Sequence, residues 1–446
     1  MKVLFISLGC DKNLVDTETM LGYLSQKGYE ITDDENEAEA VVVNTCCFIH
    51  DAKQESVDAI LEMADLRKEG QIKALIVTGC LAQRYNDEIR EEIPEVDVIM
   101  GTQAIEDIVE ALENVLAGNA TNYLPDINKP LPKLGKRMIT TGGHYAYLKI
   151  AEGCDKHCTY CIIPKVRGTY RSVPMEELLE QARQLVEDVG VKELILVAQE
   201  TTIYGTDIYG EKKLPELLAR LSEIRGLKWI RILYCYPEEI DDALIEEIAT
   251  NDKVCNYLDI PVQHASDKIL KRMGRRTTRA ELENTIGKLR ARIPDICLRT
   301  TLISGFPGET EADHEEVMEF VDTMEFDRLG VFTYSKEEDT PAALMDDQIE
   351  EECKEMRRSE IMELQQAIAF EKADSMIGRT VLAMIEGRIA GEDAYIARTY
   401  MDAPNVDGYL FINTSKDMMT GDFAYVRITG SNEYDLIGEL EDEFSE

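Results

Sequence analysis

Apolar runs of strand length alternate with amphipathic helical patterns over residues 1 to about 115. Such alternation favours a parallel α/β sheet with helices on both faces. The predicted strands are Lys2–Leu8, Ala40–Asn44, Lys73–Thr78 and Val96–Met100, and the predicted helices are Leu14–Lys27, Ala52–Lys68 and Gln83–Glu92. We therefore expect an N-terminal, doubly wound parallel-sheet domain.

A second alternating series begins near residue 145 and contains six strand–helix units. Its predicted strands are Tyr145–Ala151, Glu193–Ala198, Trp229–Tyr234, Tyr257–Val262, Cys297–Ile303 and Arg328–Thr333. Its predicted helices are Met175–Val189, Leu214–Glu223, Asp241–Thr250, Asp267–Met273, Arg279–Arg292 and Glu311–Met324. Six such units predict a barrel, open or closed, whose chemistry lies at the carboxyl ends of the strands.

The segments around these two series complete the predicted domain organisation. Residues 118–143 are rich in Gly and Pro and lack an apolar period, which is typical of a linker. Asp346–Asp374 forms one long charged helical pattern, and short apolar runs after it predict a small β-barrel of OB-like size. We expect domains at residues 1–117, 144–374 and 375–446, with 118–143 as the linker.

A CxxxCxxC run directly follows the first strand of the second series. Its cysteines are Cys154, Cys158 and Cys161. Three thiolates are one ligand short of the four that an iron–sulfur cube requires, so one iron would stay open for a substrate or cofactor. Zinc is the competing metal, but structural zinc favours four protein ligands. Buried thiols without a metal are a third interpretation.

Three further cysteines end the first three strands of the N-terminal series: Cys10, Cys46 and Cys80. Ligands bind at the carboxyl ends of the strands in open α/β sheets, so these residues are expected to meet there. The sequence predicts a second three-thiolate group, although three small apolar residues at strand ends would give the same pattern. Cys47 is expected to face away from this group.

Other polar residues at the predicted active face have both functional and structural interpretations. Gln199, Arg231 and Gln263 lie at strands of the second series, and Gly305 opens a Gly-rich turn after the fifth strand. Each residue type also fills turns or caps helices. Lys165, Arg167 and Arg171 follow the cysteine run, where they would bind a carboxylate or form a solvated basic surface.

Composition narrows the class of protein and its partners. The chain has 446 residues, 11 cysteines and a formal net charge of −39. No signal peptide or membrane-spanning run is recognised, and an odd number of scattered cysteines does not indicate a disulfide framework, so a cytoplasmic protein is expected. The acidic charge repels nucleic acid and attracts basic partners, unless it only reflects an acidic proteome in the host.

The two cysteine groups and the small β-barrel together resemble the radical S-adenosylmethionine (SAM) methylthiotransferases over essentially the whole chain. One branch of that family modifies a tRNA adenosine, and the other modifies an aspartate of small-subunit ribosomal protein twelve. The motifs similar to the ribosomal-protein branch are SLGCDKNLVD (7–16), QETTIYG (199–205), YLDIP (257–261) and FTYSKEE (332–338). Residues 375–446 carry five basic and fourteen acidic residues, which also favours a basic protein substrate over tRNA.

The resemblance implies a fold, cofactors and partners for this chain. It implies a (β/α)6 partial TIM barrel and a C-terminal TRAM domain. It implies two [4Fe–4S] clusters, one held by Cys10, Cys46 and Cys80 and one by Cys154, Cys158 and Cys161. SAM would bind the second cluster with contacts from Gln199, Gln263 and Gly305, and no acid–base residue is assigned. The implied partners are the ribosomal protein and an electron donor such as flavodoxin or ferredoxin; no membrane is implied, and direct nucleic-acid binding is not expected.

Overall fold

The N-terminal domain is built on a five-stranded, all-parallel sheet with the order β2-β1-β3-β4-β5. The computed structural model describes residues 1–441, so the last five residues of the predicted third domain lie outside it. The strands are β1 (Lys2–Ser7), β2 (Glu30–Thr32), β3 (Ala40–Thr45), β4 (Ala74–Gly79) and β5 (Val98–Ile99). The helices are α1 (Asp11–Lys27), α2 (His50–Lys68), α3 (Cys80–Arg84), α4 (Asn86–Glu92) and α5 (Ile108–Leu116).

The predicted parallel sheet is confirmed, and two elements appear that the sequence analysis did not predict. Strand β2 has only three residues at an edge and no apolar run. Helix α5 buries Ile108, Ala111 and Leu112 completely against the sheet. Their spacing of three and four residues is the helical signal in the sequence that could have located it.

The central domain contains a six-stranded parallel sheet with the order β13-β12-β11-β10-β9-β6. Its strands are β6 (Tyr145–Lys149), β9 (Glu193–Val197), β10 (Trp229–Ile232), β11 (Val254–Asp259), β12 (Cys297–Ser304) and β13 (Arg328–Thr333). Because β6 and β13 are both edge strands, this is an open, partial barrel. A short antiparallel pair, β7 (Ala151–Glu152) and β8 (Arg171–Ser172), brackets the cysteine loop.

Nine α-helices of residues 144–375 surround this sheet. They are α6 (Ile163–Arg167), α7 (Met175–Arg183), α8 (Thr206–Tyr209), α9 (Leu214–Ser222), α10 (Asp242–Thr250), α11 (Asp267–Arg272), α12 (Arg279–Arg292), α13 (Glu311–Met324) and α14 (Glu351–Ser375). The predicted helix over 175–189 ends as a π-helical segment, Gln184–Val189. The predicted strand 257–262 is displaced by three residues at both ends, because β11 spans Val254–Asp259. At its later end the chain leaves the sheet after Asp259, and Pro261 has no N–H to continue the ladder.

The C-terminal domain is a closed barrel of five strands with the order β14-β15-β16-β18-β17. Its strands are β14 (Thr380–Arg388), β15 (Ala394–Thr399), β16 (Leu410–Asn413), β17 (Phe423–Asn432) and β18 (Asp435–Leu440). The predicted small β-barrel is therefore confirmed. No helix within residues 1–441 is long and apolar enough to cross a membrane.

A buried ionic junction attaches the C-terminal barrel to the central sheet. Glu193 on β9 accepts hydrogen bonds from Arg231 Nε and Arg398 Nη2, each at 2.7 Å, and all three residues are 0% exposed. Burial opposes ionisation of Glu193, but the two guanidinium groups outweigh it and hold its pKa below the ordinary value. Arg231 thus belongs to a domain junction. Trp229 packs edge-on against Phe423 beside it, with ring centroids 4.9 Å apart.

We expect Glu193→Gln to destabilise this junction by about 3–5 kcal/mol, because it removes the carboxylate that two buried guanidinium groups share. Arg398 keeps Glu386 as a partner, whereas Arg231 is left without a carboxylate. The fluorescence of Trp229, the single tryptophan of the chain, reports the junction during urea unfolding. The exposed control Glu187→Gln should leave the midpoint unchanged. Equal midpoints for both variants would show that the junction is not held by this ion cluster.

Candidate functional site: two three-cysteine groups

Cys10, Cys46 and Cys80 lie together at the carboxyl ends of β1, β3 and β4. Cys10 precedes α1, Cys46 directly follows β3, and Cys80 is the first residue of α3. Burial, with the neighbouring thiols of Cys80 and Cys10, raises the pKa of Cys46 to about 12. Burial likewise raises the pKa of Cys80, with Cys10 adding to the effect. Because burial and the neighbouring thiols make these thiols hard to deprotonate, a bound cation that takes the place of their protons would stabilise the thiolates.

Gly9 permits the loop that carries Cys10 to approach Cys46 closely. Its φ is +88°, and a Cβ built there would lie 2.7 Å from Cys46 Cβ and 2.9 Å from its Sγ. Asn13 fixes the same loops, since its Nδ2 donates to the carbonyls of Leu8 and Thr45, each at 3.0 Å. The N-terminal cysteines are therefore positioned by backbone and amide contacts that do not depend on a bound metal.

Cys47 is fully buried in the apolar core of the N-terminal domain. Burial raises its pKa, the Cys80 thiol adds to the effect, and the Arg84 guanidinium opposes it. The choice of Cys46 over Cys47 as a metal ligand stays a prediction.

Cys154, Cys158 and Cys161 lie on the loop between β7 and α6, at the carboxyl end of the sheet. Burial and the Cys158 thiol raise the pKa of Cys154 to about 12, and burial with the same neighbour raises that of Cys161. Cys158 Sγ lies 3.2 Å from the hydroxyl of Tyr236. Within residues 1–441, no three His, Cys, Asp or Glu side chains are spaced closely enough to bind a single metal ion. Three converging thiols fit a larger iron–sulfur cluster by number and chemistry.

Backbone contacts determine the path of this cysteine loop. The N–H of Cys154 donates to Gly168 O at 3.1 Å, and that of Thr159 donates to Met273 O at 2.9 Å. Gly153 has a φ of +82°, and a Cβ there would lie 2.0 Å from Thr169 O. The loop therefore requires a glycine immediately before its first cysteine.

The predicted SAM contacts all lie at carboxyl ends of strands, but each has a partner within the chain. Gln199 accepts from the N–H of Gly153 at 3.0 Å and donates to Glu152 at 2.8 Å, so it supports the cysteine loop. Gln263 has a φ of +73° and pairs with β12 through its backbone. The N–H of Gly305 donates to Glu309 Oε2 at 2.8 Å. Their role in binding SAM stays a prediction.

Glu200 is a buried carboxyl group beside the loop to which the sequence analysis assigned no role. Burial raises its pKa to about 7, and the ammonium group of Lys156 opposes that rise. Its Oε1 accepts from the backbone N–H of Thr202 at 3.0 Å, whereas its Oε2 has no hydrogen-bond partner and lies 3.7 Å from Lys156 Nζ. Glu200 can therefore hold or release a proton near neutral pH.

Arg167 links the N-terminal cysteine group to Glu152, two residues before Cys154, from inside the protein. It is 1% exposed, so a solvated basic surface is the wrong interpretation for this residue. Its Nε donates to Cys80 Sγ at 3.3 Å, and its Nη1 donates to Asp16 at 2.7 Å and to Glu152 at 3.3 Å. Lys165 is exposed, and Arg171 donates to backbone carbonyls.

Lys149 completes a four-residue cluster with Arg167, Asp16 and Glu152, which we call the buried ion cluster. Lys149 Nζ hydrogen-bonds to Asp16 and lies 2.8 Å from Glu152 Oε2. Burial opposes ionisation of Glu152, but Lys149 and Arg167 lower its pKa to about 2. Asp16 is on α1, whereas Glu152 is two residues before Cys154, so the cluster links the N-terminal domain to the second cysteine loop.

Comparison with family models assigns the chain to a class. The models that match are uncharacterized protein family UPF0004 over residues 2–101, the radical SAM superfamily over residues 148–321 and the TRAM domain over residues 377–440. A radical SAM methyltransferase, TsrM from Kitasatospora setae, aligns with a TM-score of 0.54 at 13% identity, covering 74% of this chain and 72% of that one. The cobalamin-dependent SAM radical enzyme OxsB aligns with a TM-score of 0.52 at 14% identity, covering 82% of this chain and 57% of that one. The fold is therefore that of a radical SAM protein.

Full-length relatives define the family more closely. A ribosomal protein uS12 methylthiotransferase RimO from Lachnoclostridium phytofermentans is 61% identical over 441 residues, covering 99% of this chain and 100% of the relative. Proteins of the same name from Clostridium perfringens and Acetivibrio thermocellus are 51% and 49% identical, and each covers at least 97% of both sequences. The chain belongs to the RimO family of methylthiotransferases.

We expect Gly153→Ala to abolish iron binding at Cys154, Cys158 and Cys161, because the added Cβ would collide with Thr169 O. Iron content after anaerobic reconstitution, measured with Cys10, Cys46 and Cys80 replaced by Ala, isolates that group. Gly210→Ala is the matched control, since Gly210 has a φ of +77° and no atom within 4 Å of the added Cβ. Full iron content in the Gly153 variant would contradict the steric argument.

We expect Arg167→Met to destabilise the protein by about 3–5 kcal/mol, because two buried carboxylates lose a shared cation. Urea unfolding followed by circular dichroism measures the loss. Lys165→Met, which removes an exposed cation two residues away, should have little effect. Unchanged unfolding of the Arg167 variant would mean that Lys149 alone neutralises the cluster.

Proposed function

We propose that this protein is a radical SAM enzyme that transfers a methylthio group to the β-carbon of an aspartate in small-subunit ribosomal protein uS12. The observation that carries the proposal is the pair of three-cysteine groups, with Arg167 linking Cys80 of one group to Glu152, two residues before the first cysteine of the other. The full-length relatives named for this activity support the choice of substrate. Cytoplasmic location and a flavodoxin or ferredoxin as electron donor are part of the proposal.

Cys154, Cys158 and Cys161 would hold one [4Fe–4S] cluster, and Cys10, Cys46 and Cys80 would hold the other. When bound, the cluster at Cys154, Cys158 and Cys161 would supply the electron for reductive cleavage of SAM. The cluster at Cys10, Cys46 and Cys80 would supply a site for the transferred sulfur. The chain's own residues position both. Gln199 holds the backbone at Gly153, and the Arg167 N–H favours an anionic sulfur at Cys80.

The alternative function is methylthiolation of a tRNA adenosine. Residues 375–446 carry a net charge of 5 − 14 = −9, which is unfavourable for contact with a polyanion. An assay with both substrates separates the two functions. Reconstituted enzyme, reductant, SAM and sulfide are incubated anaerobically with uS12 and with tRNA, and both are analysed by mass spectrometry. A methylthio group on tRNA alone would overturn the proposal.

Replacing each three-cysteine group in turn should separate SAM cleavage from methylthio transfer. Ala at Cys154, Cys158 and Cys161 should abolish formation of 5′-deoxyadenosine, whereas Ala at Cys10, Cys46 and Cys80 should leave SAM cleavage intact and abolish methylthiolation of uS12. Cys353→Ala, which replaces a free cysteine on α14 that belongs to neither group, is the control and should keep both activities. Full methylthiolation of uS12 by the variant that lacks Cys10, Cys46 and Cys80 would show that this N-terminal group is not needed for sulfur transfer.

A further inference from the structure

A cavity of about 360 Å³ lies where the three domains meet. Cys10 and Asp11 line it from the N-terminal domain, Tyr234 and Asp259 from the central domain, and Val406 from the C-terminal barrel. We call it the interdomain cavity. Its volume is at the lower end of the range for ligand pockets, which suits a single side chain better than a large cofactor.

The interdomain cavity is distinct from the two cysteine groups. Of the six cysteines, Cys10 alone lines it. The space among the converging thiols is therefore not this cavity, but one wall of the cavity borders the N-terminal group. A side chain bound here would lie beside the group to which sulfur transfer is assigned.

Asp11 presents an unpaired acceptor at this cavity. Its side chain is 8% exposed. Its Oδ1 accepts from the Tyr234 hydroxyl at 3.0 Å and lies 3.1 Å from Lys12 Nζ. Its Oδ2 is buried and has no hydrogen-bond partner. Buried polar atoms are almost always paired, so an orphaned carboxylate oxygen on a cavity wall calls for a donor from the occupant.

The charges around the cavity favour a cationic donor. Both cations at this wall already have a carboxylate partner: Arg299 Nη1 pairs with Asp259 at 2.9 Å, and Lys12 Nζ pairs with Asp11 Oδ1 at 3.1 Å. A carboxylate occupant would face the free oxygen of Asp11. An ammonium or guanidinium group would pair with that oxygen through a charge-assisted hydrogen bond.

We propose that the interdomain cavity binds a lysine or arginine side chain of the protein substrate, with its cation donating to Asp11 Oδ2. This proposal rests on the proposed function. Because Cys10 borders the same cavity, the bound residue lies near the modified aspartate in the substrate chain. The net charge of −39 would attract such a basic segment before it docks.

Binding of uS12 to variants of the reconstituted enzyme tests the proposal. Asp11→Asn removes the anion that would pair with the lysine or arginine of the substrate. We expect it to raise the Kd for uS12 by at least about tenfold. Val406→Trp fills the cavity from the C-terminal barrel, where Val406 is 53% exposed, and should weaken binding even if Asp11→Asn disturbs folding or iron binding. Asp33→Asn removes one exposed carboxylate from the same domain and should leave the Kd unchanged.

A set of uS12 variants identifies the bound residue. Each lysine and arginine near the modified aspartate is replaced singly by Gln, and binding is measured with wild-type enzyme and with Asp11→Asn. One uS12 variant should lose affinity for wild-type enzyme and show no further loss with Asp11→Asn. Wild-type binding by both Asp11→Asn and Val406→Trp, or additive losses at every basic position, would overturn the proposal. Methylthiolation of uS12 by wild-type enzyme is scored separately, so failure of that reaction would instead refute the proposed function.

Discussion

The guanidinium group of Arg167 is the contact on which the arrangement of the two cysteine groups depends. It reaches the sulfur of Cys80 in one domain and the carboxylate of Glu152, beside the cysteine loop of another, while sharing Asp16 with Lys149. A buried cation is tolerated only when its partners replace the lost hydration. Moving either domain would strip those partners away, so the energetic cost of the burial fixes one group relative to the other.

A second buried ion cluster does the same for the C-terminal barrel. Glu193 binds one arginine from its own sheet and Arg398 from the barrel, and Glu386 extends the contact to Arg398 and His144. Apolar packing between domains is non-directional, whereas hydrogen-bonded ion pairs require one register. The two clusters thus explain how the three domains enclose one cavity in a defined geometry.

The sequence predicted the strands well, because both sheets bury continuous apolar runs and the C-terminal barrel alternates clearly. It also placed six cysteines at strand ends, where the topology brings them into two groups. It did not predict the partners of Arg167 or Gln199, since contacts between residues 151 or 47 positions apart leave no periodic signal. Lys149, a charge within the apolar run of residues 145–151, was the local clue that a buried ionic contact was needed.

The charge distribution helps to explain how shared radical chemistry can serve different macromolecules. Four of the six cysteines are buried, and the thiols carry no information about the substrate. The interdomain cavity, which Cys10 alone of them lines, is bordered by a barrel whose domain has a net charge of −9. Over distances near the Debye length, such a surface repels a polyanion and attracts a basic protein. On this argument, the domain that covers the cavity selects the substrate class, and single side chains such as Asp11 then set the register of the bound segment.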